Sequence, residues 1–419
     1  MIELLAPVGD MEKLKTAIKY GADAVYFGGE LFSLRAGAGN LSVDEIREGM
    51  SMLHDAGLKG YMTVNIYAHN ADLKPLREYL GRIKDIPIDA FIISDPGVMT
   101  IIREELGDAE IHLSTQANTT NMLAAAFWRK NGIRRIVAAR ELSLKELSRI
   151  DDYISGDMEI EAFVHGAMCM SYSGRCLLSN YMTGRDANQG ECSHPCRWKY
   201  AISEEKRPGE FYPIEEDARG SYILNSHDLC MIDSIPDLID AGVMSLKIEG
   251  RNKSVYYLAT VLSAYRAALD AYLDDPNEYK FDRRLLDEVA KASHREFSHG
   301  FYYDKDNVLL QNYLTSEYIR DYTFVGIIRG YERSTGLTLV EQRNKFEVGD
   351  RVEIFGPRAD MDADYDKTTY YIDEDITAMY DEEGKEVKSA PHAQQMLKIR
   401  FKHNYRPGFM LRMKKESDL

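Results

Sequence analysis

The sequence predicts an α/β fold: a (β/α)8 TIM-like barrel with a large insertion between strands 7 and 8, then a small C-terminal antiparallel, barrel-like β domain. Three observations predict it. One phrase recurs through the first 280 residues: a helical pattern, a Gly, then a short apolar run closing on polar residues. The apolar runs are continuous, as strands buried on both faces of a parallel sheet require. The last 100 residues instead alternate apolar and polar positions, the period of an antiparallel strand with one wet face.

Eight runs read as barrel strands: Glu3–Pro7, Ala24–Phe27, Gly60–Asn65, Ala90–Ser94, Glu110–Ser114, Arg135–Ala139, Glu159–Val164 and Ser245–Glu249. Helical patterns such as Ser42–Ala56, Leu73–Lys84 and Met122–Lys130 separate them. The phrases KLKTAIKYGADAVYFGG, MSMLHDAGLKGYMTVN, FWRKNGIRRIVAAR and LIDAGVMSLKIEG each place a Gly where a helix ends, which suits a left-handed C-cap. A doubly wound open sheet is the alternative, but it has fewer strands, and its Gly-rich nucleotide turn is missing after the first strand. The barrel is assigned to 1–280, with an insertion at 165–244. A helical connection follows at 281–320, built on Arg283–Arg295, and the β domain occupies 321–419.

The chain has 419 residues, 44% hydrophobic and 29% charged, an ordinary globular balance that excludes a disordered or fibrous chain. With 52 basic and 68 acidic residues the net charge is -16, which excludes a wholly basic nucleic-acid coat but not a local basic patch. The opening MIELLAPVGD has no basic or long apolar leader, and no later run approaches the roughly 18 apolar residues of a membrane helix. A cytoplasmic protein without membrane contact is expected.

Cys169, Cys176, Cys192, Cys196 and Cys230 all fall within one 62-residue window inside the insertion. In a reducing compartment such clustering favours metal or catalysis over disulfides. Thiolates converging from separate segments could hold an iron–sulfur cluster or zinc. The paired CxxC knuckles of structural zinc are absent. The plain alternative is that buried cysteines serve as small hydrophobes.

In barrel enzymes the active site lies at the C-terminal ends of the strands. Here those ends carry Asn65, Ser94, Asp95, Ser114, Thr115, Gln116, Arg140, Glu141, His165, Glu249 and Arg251, with Arg35 in the loop after the second strand. As a ring they would make a polar pocket for an anionic or multiply hydrogen-bonding ligand. Glu249 and His165 are candidate proton-transfer groups from their strand-end positions. Near the C-terminus, Lys398, Arg400, Lys402 and Arg406 interleave with Phe401, Tyr405 and Phe409. Cations with flat rings would suit an RNA platform, and a solvated strand face with its rings in the core is the alternative.

The segment EAFVHGAMCMSYSGRCLLS (Glu161–Ser179) resembles the signature of peptidase family U32 at every fixed position. The opening ELLAPVGDMEKLKTAIKYGADAVYFGG and NSHDLCMIDSIPDLIDAGVMSLKIEGR resemble that family too, and the resemblance spans essentially the whole chain. It is strongest to the tRNA hydroxylation protein branch. That resemblance implies formation of 5-hydroxyuridine at the wobble position of tRNA, with a 4Fe–4S cluster and a dependence on prephenate. Carried over by motif, Cys169, Cys176, Cys192 and Cys230 are the ligands. Cys196 is the extra one, unless the Cys192–Cys196 pair both ligate and Cys230 is spare. Arg35, Arg140 and Arg251 become candidates to hold an anionic cosubstrate such as prephenate. The expected partners are tRNA and, as a candidate, a second protein. The family name implies a rival, a collagenase-like peptidase; it would pair one of these thiols with His165, which is expected on one loop with Cys169. A non-catalytic RNA- or partner-binding scaffold with a structural metal is the third reading.

Overall fold

Parallel pairing runs in a closed circuit through the first two-thirds of the computed structural model. The structure describes residues 2–33, 39–154, 156–168, 178–185, 187, 191–195, 198, 201–202, 212–213, 227–303, 318–357, 360 and 370–415. Strands β1 (Glu3–Val8), β2 (Ala24–Gly28), β3 (Lys59–Val64), β4 (Ala90–Ile93), β5 (Ile111–Leu113), β6 (Arg135–Val137) and β7 (Glu159–Ala167) follow one another around the sheet. Within the insertion come the antiparallel pair β8 (Ala201–Ile202) and β9 (Tyr212–Pro213), then β10 (Asp228–Cys230). Strand β11 (Val243–Ile248) then pairs in parallel with both β7 and β1 and closes the eight-stranded barrel.

Each barrel strand leads into a helix: α1 (Met11–Lys19), α2 (Val43–Asp55), α3 (Asn70–Ile83), α4 (Pro96–Leu106), α5 (Met122–Lys130) and α6 (Leu144–Ile154). In the insertion, α7 (Leu178–Thr183) precedes α8 (Ile235–Asp240), and α8 is the helix that returns the chain to β11. The long α9 (Val255–Asp274) follows β11 and packs on α1. Local chemistry sets the ends. Ser42 and Glu45 form a reciprocal capping box on α2, and Asp95 caps α4 with Pro96 in the first turn. The repeated Gly after a helix is a left-handed cap: Gly21, Gly57, Gly132 and Gly242 have φ of 92°, 76°, 76° and 87°.

Several element ends shift by a few residues from expectation, and two differences bear on the site and on the connection between domains. Strand β7 runs on to Ala167, so His165 lies in a strand, not on a loop shared with Cys169. The reason is tertiary: β10 pairs antiparallel with residues 165–167, beyond the point where β6 stops. The helix expected over Arg283–Arg295 is only α10 (Arg284–Ala290). Beyond it the chain is drawn out by the His294–Ile319 bridge and by β12 (Phe297–Ser298), which adds to β10.

The C-terminal domain is one antiparallel sheet in the order β16 (Ile372–Asp375), β15 (Arg351–Phe355), β19 (Met410–Lys414), β13 (Tyr322–Glu332), β14 (Leu337–Gln342), β18 (Met396–Ile399), β17 (Met379–Tyr380). Its core gathers Val325, Ile328, Val340, Phe346, Ile354, Leu397 and Leu411. The barrel domain meets it through a buried charge bridge. Arg412 of β19 donates to Glu353 and Glu288, at 2.7 Å each, and Lys291 donates to Glu353 at 2.8 Å.

Candidate functional site

Strand parity decides what fills the barrel. Leu4, Ala6, Val8, Val25, Phe27, Met62 and Val64 join the apolar layer beneath the helices. The alternate positions turn inward, as the two-residue period of a strand requires. There they carry charge. Arg135 reaches Glu3 at 2.6 Å and Glu161 at 3.3 Å, and Lys247 reaches Glu161 at 2.6 Å. Tyr61 and Ser245 also donate to Glu3, at 2.6 and 2.7 Å. Burial pushes the Glu161 carboxyl up, but Lys247, Arg135 and His112 outweigh it and hold it below its ordinary value. Burial lowers His112.

Above this layer lies the rim. Glu249 follows β11 directly. Its carboxylate has the Tyr26 hydroxyl at 3.5 Å and the Arg140 guanidinium at 3.7 Å. Arg140 is held from two further sides: its guanidinium carbon lies 3.9 Å from the Phe163 ring centre, and it donates to the Ala167 carbonyl at 3.3 Å. Gly166 makes this closeness feasible. Its φ is 110°, and a Cβ there would sit 2.6 Å from the Glu249 carbonyl oxygen. Arg251 is buried at 3% exposure and donates to the Ser33 hydroxyl at 2.8 Å, with Thr63 and Asn40 as further acceptors. On the far side Gln116 accepts from Asn65 at 2.9 Å and from Ser114 at 2.6 Å.

His165 is enclosed rather than presented. The rings of Tyr257, Tyr265 and Phe297 lie 6.0, 5.4 and 5.5 Å from its own. Burial, with Lys253 and His294 adding to it, lowers its pKa to about 3, so the imidazole is neutral at physiological pH. Cys230 is its cross-strand partner on β10. Both described cysteines, Cys192 and Cys230, are free thiols; Cys192 is half-buried and Cys230 buried. Burial pushes the Cys230 thiol up to about 12. A bare thiolate there is unfavourable, whereas a bound cation displaces the proton outright. Thiols are the donors a soft metal group takes, but among the described residues no three His, Cys, Asp or Glu side chains gather as a metal site. Cys169, Cys176 and Cys196, and Arg35, lie outside the described residues.

The sequence-predicted residues therefore divide. Glu249, Arg140 and Arg251 share the rim, with His165 and Cys230 side by side in the adjoining strands. The C-terminal cations lie elsewhere. Lys398 is 3.4 Å from Glu332, Lys402 is 4.0 Å from Asp375, Arg406 is 2.6 Å from Asp360, and Arg400 donates to the Thr335 carbonyl. The rings interleaved with them do not form a stacking platform. Tyr405 and Phe409 are buried in the sheet core and Phe401 packs against it. The Tyr405 hydroxyl donates to the buried Glu374 carboxylate, which draws that loop inward.

Sequence reasoning missed a cleft of about 370 Å³ beside Glu249, lined also by His194, Asn252, Lys253, Ser254, Tyr257, Ser293, Tyr318 and Arg320. It missed the lumen charges too. Glu3, Arg135, Glu161 and Lys247 stand in otherwise apolar strands, and that mismatch was the readable signal.

The chain matches the model of "Peptidase family U32" over residues 9–312 and that of "Peptidase family U32 C-terminal domain" over 320–412. It is 39% identical over 411 residues to tRNA hydroxylation protein P1 of Bacillus subtilis, covering 98% of this chain and 94% of that protein. It is 39% identical over 399 residues to tRNA hydroxylation protein P of Escherichia coli, covering 86% and 87%. A Porphyromonas gingivalis protein named collagenase is 33% identical over 366 residues, covering 85% and 86%. Among the described residues no helix is long and apolar enough to cross a membrane.

Proposed function

The chain belongs to peptidase family U32, and from that premise we propose that it is an RNA-modifying enzyme that hydroxylates tRNA, forming 5-hydroxyuridine at the wobble position. The observation that carries the reading is its 39% identity to a tRNA hydroxylation protein across 98% of the chain, both domains included. The rim agrees with it. Glu249, held between Tyr26 and Arg140, is placed to accept or return a proton at a ligand in the adjoining cleft. Arg140 and Arg251 add positive charge close by, suited to an anionic cosubstrate such as prephenate, with Arg35 a further candidate.

Cys169, Cys176, Cys192 and Cys230 would hold a 4Fe–4S cluster, with Cys196 the alternative to Cys230. Such a group supplies redox-active iron at the barrel mouth. The reading includes a cytoplasmic site of action, with tRNA as partner and a second protein as a candidate partner.

The collagenase-like relative supports a rival reading, peptide hydrolysis. His165 weighs against it as the base of a cysteine dyad. At 2% exposure it stands behind three aromatic rings, and a peptide must reach its base directly.

Two measurements on protein purified without oxygen test the proposal. The first is iron and acid-labile sulfide, expected at about four of each per chain for a 4Fe–4S cluster and lost together in Cys169→Ala. The second is nucleoside mass spectrometry of tRNA from cells lacking the protein. Wild type should restore 5-hydroxyuridine and Cys169→Ala should not. Zinc without sulfide, with protein-dependent peptide cleavage, would establish the hydrolase instead.

A further inference from the structure

The cleft beside Glu249 has a lining that the rim chemistry described above does not use. Lys253 is fixed there by its neighbours. Its ammonium lies 4.3 Å from the Tyr318 ring centre and 5.1 Å from that of Tyr257, and it donates to the Ser293 carbonyl at 3.3 Å. Arg320 is exposed at the mouth, its guanidinium carbon 5.7 Å from the same Tyr318 ring. Rings that hold cations in place remove much of the entropy that a free lysine or arginine loses on binding an anion. Alongside stand neutral and acidic groups of opposite preference: the Asn252 amide, the Ser254 hydroxyl and the Glu249 carboxylate. One ligand must therefore bring an anion for the cations and hydrogen-bond donors for the carboxylate.

We infer that this cleft receives a single unstacked nucleotide of the substrate RNA, its phosphate on Lys253 and Arg320 and its ribose or base edge on Glu249, Asn252 and Ser254. The inference rests on the RNA-hydroxylation reading and adds where the nucleotide sits. A volume of about 370 Å³ lies near the lower end of small-molecule sites and admits one nucleotide, not a stem. Enzymes that act on a base must take it out of the stack and read it in a pocket. An anticodon loop offers bases already unpaired, so the cost of extrusion is small. The placement also explains why the C-terminal cations need not carry base recognition: their interleaved rings are in the core.

The test uses the intact protein and an anticodon stem-loop RNA with 4-thiouridine at the wobble position. Near-ultraviolet crosslinking should map to peptides containing residues 249–257 or 318–320. Arg320 is exposed, so Arg320→Gln should fold normally. It should weaken binding roughly 5-fold and flatten the salt dependence by about 0.7 in log–log slope, the loss of one single-strand phosphate contact. Arg320→Lys should restore most of both. Arg351→Gln, an exposed cation of the C-terminal sheet, should change neither. Crosslinks confined to residues 398–406, or an unchanged salt slope in Arg320→Gln, would overturn the cleft assignment and leave RNA binding standing. A wild-type protein that does not bind the RNA at all would overturn the hydroxylation reading itself.

Discussion

His165 and Cys230 face each other across the β7–β10 ladder, and the Tyr265 hydroxyl stands between them, 3.4 Å from the imidazole Nδ1 and 3.9 Å from the thiol. The same hydroxyl donates to the Val164 carbonyl at 2.7 Å and accepts from the Met231 N–H at 3.0 Å. One side chain of α9 thus pins the strand that carries Cys230 to the barrel strand that carries His165.

Tyr265→Phe should therefore cost only about 1 kcal/mol, because the Met231 N–H keeps its direct 2.9 Å bond to the Val164 carbonyl and only the added bonds of the hydroxyl are lost. Urea unfolding of wild type and variant measures it. A change below about 0.5 kcal/mol would show that the hydroxyl adds little to that junction.

Glu161→Gln should destabilise the barrel by about 3–5 kcal/mol, since Lys247 and part of Arg135 would remain buried without their carboxylate. Glu161 has a depressed folded pKa, so its contribution is present above the unfolded value near 4.3 and is lost as pH falls through the folded value. The stability gap between wild type and variant should be full at pH 7 and narrow below about pH 4. A gap that stays constant down to acid unfolding would contradict the pairing.

Glu249→Gln keeps shape and removes the proton-accepting charge. At 16% side-chain exposure the carboxylate is not a buried structural ion, so the melting temperature should barely move. The yield of 5-hydroxyuridine should fall roughly 100-fold or more, the usual scale for a positioned acid–base group. Full modification by the variant would remove Glu249 from the chemistry.

Gly166→Ala probes the same spot through the backbone. A positive φ of 110° and a 2.6 Å approach to the Glu249 carbonyl make any Cβ both strained and crowded. A cost of about 1–3 kcal/mol is expected, with loss of modification beyond what stability explains. Comparing modified tRNA at a temperature where both proteins are fully folded separates the two effects.

Arg412→Met tests the bridge between domains. Arg412 has no exposure and meets Glu288 from α10 and Glu353 from β15. Its loss should cost about 3–5 kcal/mol and let the C-terminal sheet exchange amide protons before the barrel does. Hydrogen exchange by mass spectrometry reads that order directly.

The barrel was legible because its signals are local. Continuous apolar runs, a Gly at each helix end and regular spacing belong to short stretches of chain, and Gly21, Gly57, Gly132 and Gly242 all took the left-handed conformation their positions announced. The rim was legible in outline, since strand ends are fixed once the strands are, and Glu249, Arg140 and Arg251 fell there. Its last details were not. Sequence could not tell that β10 would extend β7 and hold His165 in a strand, because that pairing joins residues about 65 apart. Nor could it tell which cations near the C-terminus were outward. Lys398 and Arg412 are both basic residues of neighbouring strand patterns, yet one meets Glu332 at the surface and the other is wholly buried between domains.

By itself, then, the sequence determined the alternation of strand and helix, the change to an antiparallel domain near residue 320 and the gathering of five cysteines in one insertion. Only the tertiary structure decided that the inward positions of Glu3, Arg135, Glu161 and Lys247 would meet as one paired cluster, and that Lys253 and Arg320 would line one cleft with Glu249. The physical reason is range. Hydrophobic period and backbone caps act within a turn or a strand, whereas a buried charge is tolerable only when a partner from a distant strand arrives beside it, and closure of the barrel supplies that partner.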